Sequence, residues 1–523
     1  MDEFVQRFAG RVTGCLSGFD RVLFRGTHRL LAHVGGLMSC LWAWRVRLKD
    51  FGAWADGLTA DVRAASERAM ADAGRPVVYL PGPSASKEDL ARRIAARDGV
   101  TAGPVCLLKA VEPCQTYDLH RDRANRKLEL VPRRRQCLHY YHYRVDPGVG
   151  LMHVRLQTWL PFGLRVCLNG REWLCRQLDA AGVGYVRRDN CLTAVADAAE
   201  AQRLLDGQLR TDWPGWLAGV TAAAHPGLAA GLVLEGRPLD AYWSAEQTEW
   251  ATDVMFRDRA ALAAVYPGLV RHGMLNLSCG DVMRFLGRKV PAHGGANGHF
   301  AGEAGSDLAT RPEGVRLKHR VGANSVKVYD KQGSVLRVET TVNDPADFKV
   351  YRGTEADPDK KDWRRLRRGV ADLHRRADVS RACNDRYLAA LAAARSPRTL
   401  GDAVAPACKP VTRGGRRHRG LRPGHAADTA LLRAVADGRW AVNGFRNADV
   451  RAALFGADSR DPAERRRRAG RVTRQLALLR AHGLVKRVPR TRRWQATDKG
   501  RELATLLAAA EHASAETLAA AAA

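Results

Sequence analysis

The stretch SVKVYDKQGSVLRVETTVN, residues 325–343, limits the fold more than any other part of the chain, because it dictates a β-hairpin. Val326 and Val328 alternate with Lys327, Tyr329 and Lys331, and beyond a break Leu336, Val338, Thr340 and Val342 alternate with Arg337, Glu339, Thr341 and Asn343. A period of two is the mark of strands with one apolar face. Gln332, Gly333 and Ser334 supply the turn, and a loop of that length sets Tyr329 against Arg337, Lys327 against Glu339 and Val328 against Val338. One face therefore gathers tyrosine, glutamate, lysine and arginine. It reads either as a phosphodiester-cleaving surface, with Tyr329 as nucleophile, Glu339 as base or metal ligand and Lys327 and Arg337 on phosphate oxygens, or as an exposed sheet face whose ion pairs only fix register.

The wording YDK…LRVE resembles a hairpin of the rolling-circle replication initiators of plasmids and phages, over this hairpin alone. The resemblance implies a DNA-nicking initiator.

Lysine and arginine outnumber aspartate and glutamate 85 to 55, a formal charge of +30. Such an excess points to a polyanionic partner, DNA first and RNA second, rather than a membrane. The 523 residues suffice for roughly three or four units of ~100 to 200 residues each. No apolar run reaches the ~20 residues of a membrane span, and Met1-Asp2-Glu3 opens unlike a signal peptide, so a cytoplasmic protein is the expectation. Eleven cysteines without one Cys-x-x-Cys pair argue against a zinc ribbon or a disulfide framework.

Residues 1–103 read as a mixed α/β region. VTGCLSGFDRVLFRG is a strand with Asp20 inside it, placed like a metal-binding acid of ribonuclease-H-like nucleases, which gather two or three carboxylates around magnesium; the plainer reading pairs Asp20 with Arg21 or Arg25. Residues 53–73 are helical, 77–80 a strand, and a helix capped by Ser84 or Ser86 follows.

Residues 104–208 form an antiparallel β-rich module with a turn at Asp146-Pro147-Gly148-Val149-Gly150. Tyr140, Tyr141, Tyr143 and Trp159 interleave with Arg133, Arg134, Arg135, Arg144 and Arg155: rings to stack bases and cations to hold phosphates, or else tyrosines of a core. His139, His142 and His153, with Glu112 or His120, are candidate metal ligands, and Glu112, His139 and His153 are the favoured set, for Mg²⁺ or Mn²⁺. Rolling-circle initiators place two histidines two residues apart on one strand face, whereas His139 and His142 are three apart and point to opposite faces.

Residues 209–395 read as a helical region around the central hairpin, with a long helix over 244–265 opened by Ser244 and Gln247 at capping-box spacing. The glycine-rich loop 291–305 lacks the endings of a phosphate cradle, which leaves nucleotide binding unsupported. Residues 396–425 read as a basic flexible linker and 511–523 as an alanine-rich tail.

Between them, residues 426–510 carry helix starts at Asp428, after Asn447 and at Asp461-Pro462, then a hairpin and a helix from Asp498. Val472, Leu476 and Leu479 form the apolar stripe of the third helix, with Arg467, Arg471 and Arg474 on another face, and Arg490, Arg492 and Arg493 tip the hairpin. These parts resemble the winged-helix DNA-binding family. The resemblance implies that the third helix reads DNA and the hairpin is its wing.

The expected protein is thus α+β and multidomain: a mixed α/β N-terminal region, an antiparallel β-rich central body and a C-terminal winged helix. It binds nucleic acid, DNA before RNA, in the setting of a mobile element. The alternatives are a nuclease or replication initiator using the 325–343 hairpin, and an RNA-binding ribonucleoprotein component.

Overall fold

An eleven-stranded mixed sheet dominates the computed structural model. The structure describes residues 2–82, 86–225, 233–234, 236–288, 304–311, 314–354, 356–392, 400–440, 444–489 and 491–513. From edge to edge the strands are Ala304–Arg311, Gly314–Val321, Asn324–Lys331, Val335–Val342, Ala241–Phe256, Val12–His28, Leu164–Asn169, Gly150–Gln157, Lys127–Asp146, Gly103–Asp122 and Val77–Leu80. Val77–Leu80 runs parallel to Gly103–Asp122, and the Lys87–Arg97 helix between them supplies the crossover that a parallel pair requires. Ser86 caps that helix by accepting from the Asp89 amide; Ser84 lies outside the described residues.

The chain divides into two compact units. One holds Leu16–Thr252 and Thr341–Arg381. Its centre is the antiparallel run Gly103–Asp122, Lys127–Asp146, Gly150–Gln157 and Leu164–Asn169, the last paired with residues 21–26 of the first strand. The expected turn at 146–150 is present, with Asp146 accepting from the amides of Gly148 and Val149. Helix Lys87–Arg97 covers one part of this sheet through Ala91 and Ile94, packed with Val105, Leu108, Tyr141 and Tyr143.

The other unit holds Met1–Cys15, Asp253–Thr340 and Ala382–Ala523. The hairpin has the anticipated form: strands Asn324–Lys331 and Val335–Val342 flank residues 332–334, where Gln332 and Gly333 adopt φ of 60° and 80°. Its apolar side, Val326, Val328, Leu336 and Val338, packs with Tyr387, Leu388 and Leu391. At the C-terminus, helices Ala426–Ala436, Asn447–Phe455 and Pro462–Ala481, the pair Val485–Arg487 and Trp494–Ala496, and helix Asp498–His512 follow one another around Leu432, Phe445, Val472, Leu476, Leu479 and Leu503. Asp461 starts the Pro462–Ala481 helix by accepting from the amides of Ala463 and Glu464.

Three expectations change. Residues 241–256 form a strand where a helix over 244–265 was expected, and the helices Arg259–Ala263 and Tyr266–Leu275 follow it. Helix propensity yields here to burial within a sheet: Thr248, Trp250, Thr252 and Val254 are all at most 1% exposed. Ser244 and Gln247 bond to Arg25 and Asn343 instead of capping. The region 209–395 is consequently as much strand as helix, with Ala304–Arg311, Gly314–Val321, Lys349–Arg352 and Asp362–Arg365 besides the hairpin. Within the expected linker, Leu400–Cys408 is helical, Val411–Arg413 pairs with Arg416–His418, and Ala403, Ala407 and Leu421 join the C-terminal core, so apolar contacts order a segment that composition marks as flexible.

Candidate metal centre and basic surfaces

Three carboxylates meet on three neighbouring strands of the sheet. Asp20 on Val12–His28, Glu249 on Ala241–Phe256 and Glu339 on Val335–Val342 each offer one oxygen, all within 4.8 Å of one another. Among the described residues, no other group of three or more histidine, cysteine, aspartate or glutamate side chains comes together in this way. Asp20 and Glu339 are 7% and 1% exposed.

Local sequence explains how each acid is held. Gly170 opens the helix Gly170–Ala181 against the first strand, where a Cβ would lie 1.7 Å from the Phe19 carbonyl oxygen, so only glycine allows that approach. Asn169 caps this helix, and its second residue, the buried Arg171, brings Nε to 3.4 Å from Asp20. Asn190 Nδ2 lies 3.3 and 3.4 Å from the two Asp20 oxygens.

On the hairpin, the Tyr329 hydroxyl donates to Glu339 Oε2 at 2.8 Å and Lys327 Nζ stands 2.6 Å from Oε1. Lys327, Tyr329 and Glu339 thus share the polar side, as alternation requires. Arg337 is on that side as well, but it is engaged by Asp253 through two bonds of 2.6 and 2.8 Å, with both side chains at most 2% exposed. The expectation of an exposed ion-paired face is corrected: Arg337 and Glu339 are buried, on a strand whose residues are buried throughout because it lies inside the sheet with a strand on either side.

The favoured histidine set does not gather. Glu112, His139 and His153 lie on one side of the sheet, since Ala110 opposes His139 and Tyr143 opposes His153. His139, however, faces Gln157, four residues along from His153, an offset of about 13 Å. Glu112 is occupied by the Tyr141 hydroxyl at 2.5 Å, Arg155 at 2.7 Å and Lys87 at 3.2 Å. Burial pulls its pKa up, yet those donors outweigh it and hold the carboxyl at about 2. Burial, aided by Arg155, lowers His139 and His153 to about 4.

The stacking platform is corrected too. Tyr140, Tyr141 and Tyr143 are buried, with the first two donating to Glu67 and Glu112. What stays exposed is the charge: Arg134 is open, while Arg133 and Arg135 reach Asp118 at 3.2 and 2.5 Å. In the C-terminal region Arg467, Arg471 and Arg474 are exposed on the Pro462–Ala481 helix, Arg467 pairing with Glu464 and Arg471 lying over Phe455. Arg492 is exposed and Arg493 donates to the Gly444 carbonyl; Arg490 lies outside the described residues.

Sequence reasoning reached Asp20 and Glu339 and missed Glu249. Its signal was the alternation Thr248, Trp250, Thr252, Val254 against Glu249, Ala251, Asp253, Met255, concealed by residues that favour helices equally well. All eleven cysteines are free thiols, and no helix among the described residues is long and apolar enough to cross a membrane. No protein-family model, curated protein or solved structure matches the chain.

Proposed function

We propose that the protein is a divalent-cation-dependent enzyme that breaks phosphodiester bonds in nucleic acid, DNA in the first place, with Asp20, Glu249 and Glu339 as metal ligands. The observation that carries this reading is the approach of three carboxylate oxygens to within 4.8 Å. At that distance each anionic pair repels by about 3 to 4 kcal/mol at an effective dielectric of ~20, a cost that a bound cation reverses. An all-oxygen donor set suits hard cations such as Mg²⁺ or Mn²⁺ better than zinc. A divalent ion bound there supplies Lewis acidity at a phosphoryl oxygen.

The chain's own residues do the rest. Tyr329 and Lys327 orient Glu339 through both of its oxygens, and Lys327, half-buried, also offers positive charge to an incoming phosphate. Tyr329 is therefore a positioning residue rather than a nucleophile, since its proton is engaged on a metal ligand. This favours metal-assisted cleavage over the covalent route of a rolling-circle initiator.

The C-terminal module is proposed to act as a winged helix that holds duplex DNA, supported by its element order and by the exposed Arg467, Arg471 and Arg474. A cutting centre joined to a DNA-holding module suits a mobile element.

The test incubates the full chain with end-labelled single-stranded DNA, duplex DNA and RNA, with Mg²⁺, Mn²⁺ or EDTA. DNA cleavage that requires the metal and disappears in Asp20→Asn is expected. Absence of metal-dependent cleavage of every substrate sinks the enzymatic reading, and a stable protein–DNA adduct lost in Tyr329→Phe restores the initiator.

A further inference from the structure

The unit holding Leu16–Thr252 contains a row of like charges that a solvated sheet has reason to avoid. Arg25 stands directly opposite Arg165, and Arg165 directly opposite Arg155, on three successive strands. Strands lie ~4.8 Å apart, so three guanidinium stems line up across roughly 10 Å. Like charges set opposite one another destabilise a sheet. Here the compensation is incomplete. Glu246 reaches Arg165 at 2.9 Å and Arg25 at 3.9 Å, and Glu112 reaches Arg155 at 2.7 Å.

A cleft of about 360 Å³ opens on this row, and Arg134, exposed and without an ion-pair partner among the described residues, contributes a fourth arginine. Four guanidinium groups thus face two carboxylates. His139 also lines the cleft, but burial leaves it neutral near pH 7. Deep in the same lining His28 is 5% exposed; its Nδ1 lies 2.9 Å from the Leu239 carbonyl oxygen, and its Nε2 has no hydrogen-bond partner.

We infer that the Arg25–Arg165–Arg155 row is a phosphodiester track: it holds successive phosphates of one nucleic-acid strand, with Arg134 closing the end of the cleft. The arrangement is a line rather than a point. Guanidinium groups in file match a repeating anion better than a single phosphate, and each fork takes two oxygens. Arg25 lies five residues beyond Asp20 on the same strand and, by alternation, on its other face, so the track is a binding surface distinct from the acid cluster. The choice of nucleic acid as the anion rests on the proposed function.

The test measures anisotropy of a fluorescein-labelled 20-nucleotide single-stranded DNA with the full chain in EDTA, across a salt series. Arg165→Ala and Arg25→Ala should each weaken binding roughly threefold to tenfold at 50–150 mM salt and flatten the log–log salt slope by about 0.7. Arg165→Lys should retain most of the slope. Glu246→Gln, which removes a counter-charge and leaves the arginines in place, should bind more tightly than wild type. Unchanged affinity and slope in arginine variants with wild-type melting curves overturns the track. So does a mononucleotide or inorganic phosphate that competes as well, per phosphate, as the oligonucleotide, because the cleft is then a site for one anion. If the arginine variants lose Glu246→Gln's window through misfolding, the Glu246→Gln result decides alone, and no gain in affinity there counts against the track. Cleavage is assayed separately with Mn²⁺: arginine-dependent binding without cleavage sinks the enzymatic reading and spares the track, while cleavage with arginine-independent binding does the reverse.

Discussion

Glu339 and Glu112 are two glutamates with nearly the same partners and opposite surroundings. Each accepts from a tyrosine on a neighbouring strand and from a lysine: Tyr329 and Lys327 for Glu339, Tyr141 and Lys87 for Glu112. The third neighbour differs. Glu112 has Arg155, whereas Glu339 has Asp20 and Glu249. Around Glu112 the charges sum to a cationic excess and the carboxylate is satisfied. Around Glu339 two further carboxylates stand in that place, so anions are concentrated there as they are not around Glu112, with Lys327, Arg171 and Arg21 as the cluster's cations. The lesson is that the Tyr–Glu–Lys pattern says nothing about chemistry by itself; the sign of the next charge decides.

The sharpest way to break this comparison is to neutralise both glutamates. Glu339→Gln should reduce metal-dependent cleavage by about 10³-fold or more while leaving the melting temperature equal or higher, because it removes both a ligand and a repulsion. Glu112→Gln should leave cleavage within a few-fold and cost about 1 to 3 kcal/mol in denaturant titration, because Arg155 loses its half-buried partner. The reverse pattern would exchange the roles of the two sites.

Next in size is the balanced pair beside the centre. Arg337→Ala should destabilise by about 3 to 5 kcal/mol, since Asp253 is left charged and buried. A urea titration giving less than about 1 kcal/mol would show that the pair is dispensable.

Acid should then weaken the unit that holds Glu112 in two steps. His139, His153 and His225 are held by burial at about 4, 4 and 3, whereas an unfolded chain protonates them near 6.5. The folded pKa values are depressed, so this stability is complete above pH 6.5 and is lost as pH falls from there toward 4, about 2 kcal/mol per histidine by pH 5. The Glu112 contribution is depressed too and fades lower, from about 4.5 down to about 2. Melting curves at pH 7.5, 5 and 3.5 would resolve the two steps; a flat response from 7.5 to 5 contradicts the first. The smallest effect is expected for Tyr329→Phe, about 0.5 to 1.5 kcal/mol of stability with cleavage reduced but present. Complete loss of cleavage would move that tyrosine from a positioning to a catalytic role.

Much of this was legible from the residues. Alternation placed Lys327, Tyr329, Arg337 and Glu339 on one side, and an acid inside an early strand marked Asp20, because a period of two is geometric and does not depend on context. The helix starts of the C-terminal region were legible for a similar reason: Asp461-Pro462 caps locally. Glu249 was not legible, since SAEQTEWATDVMF suits a helix until its neighbours in the sheet are known. Glu112, His139 and His153 illustrate the opposite failure. They do share one side of the sheet, but both the shared side and the position along the strand depend on register, and register is a property of the pairing.

The acids of the centre come from the beginning, the middle and the later part of the chain, on strands that become neighbours only in the finished sheet. On a ribosome adding ~5 to 20 residues per second, roughly a quarter of a minute to a minute separates the emergence of Asp20 from that of Glu339. Throughout that interval the nascent polypeptide lacks at least one of the three acids, so a product ending before the hairpin cannot assemble the cluster. On the proposed reading, the order of synthesis withholds the metal centre until the hairpin has emerged.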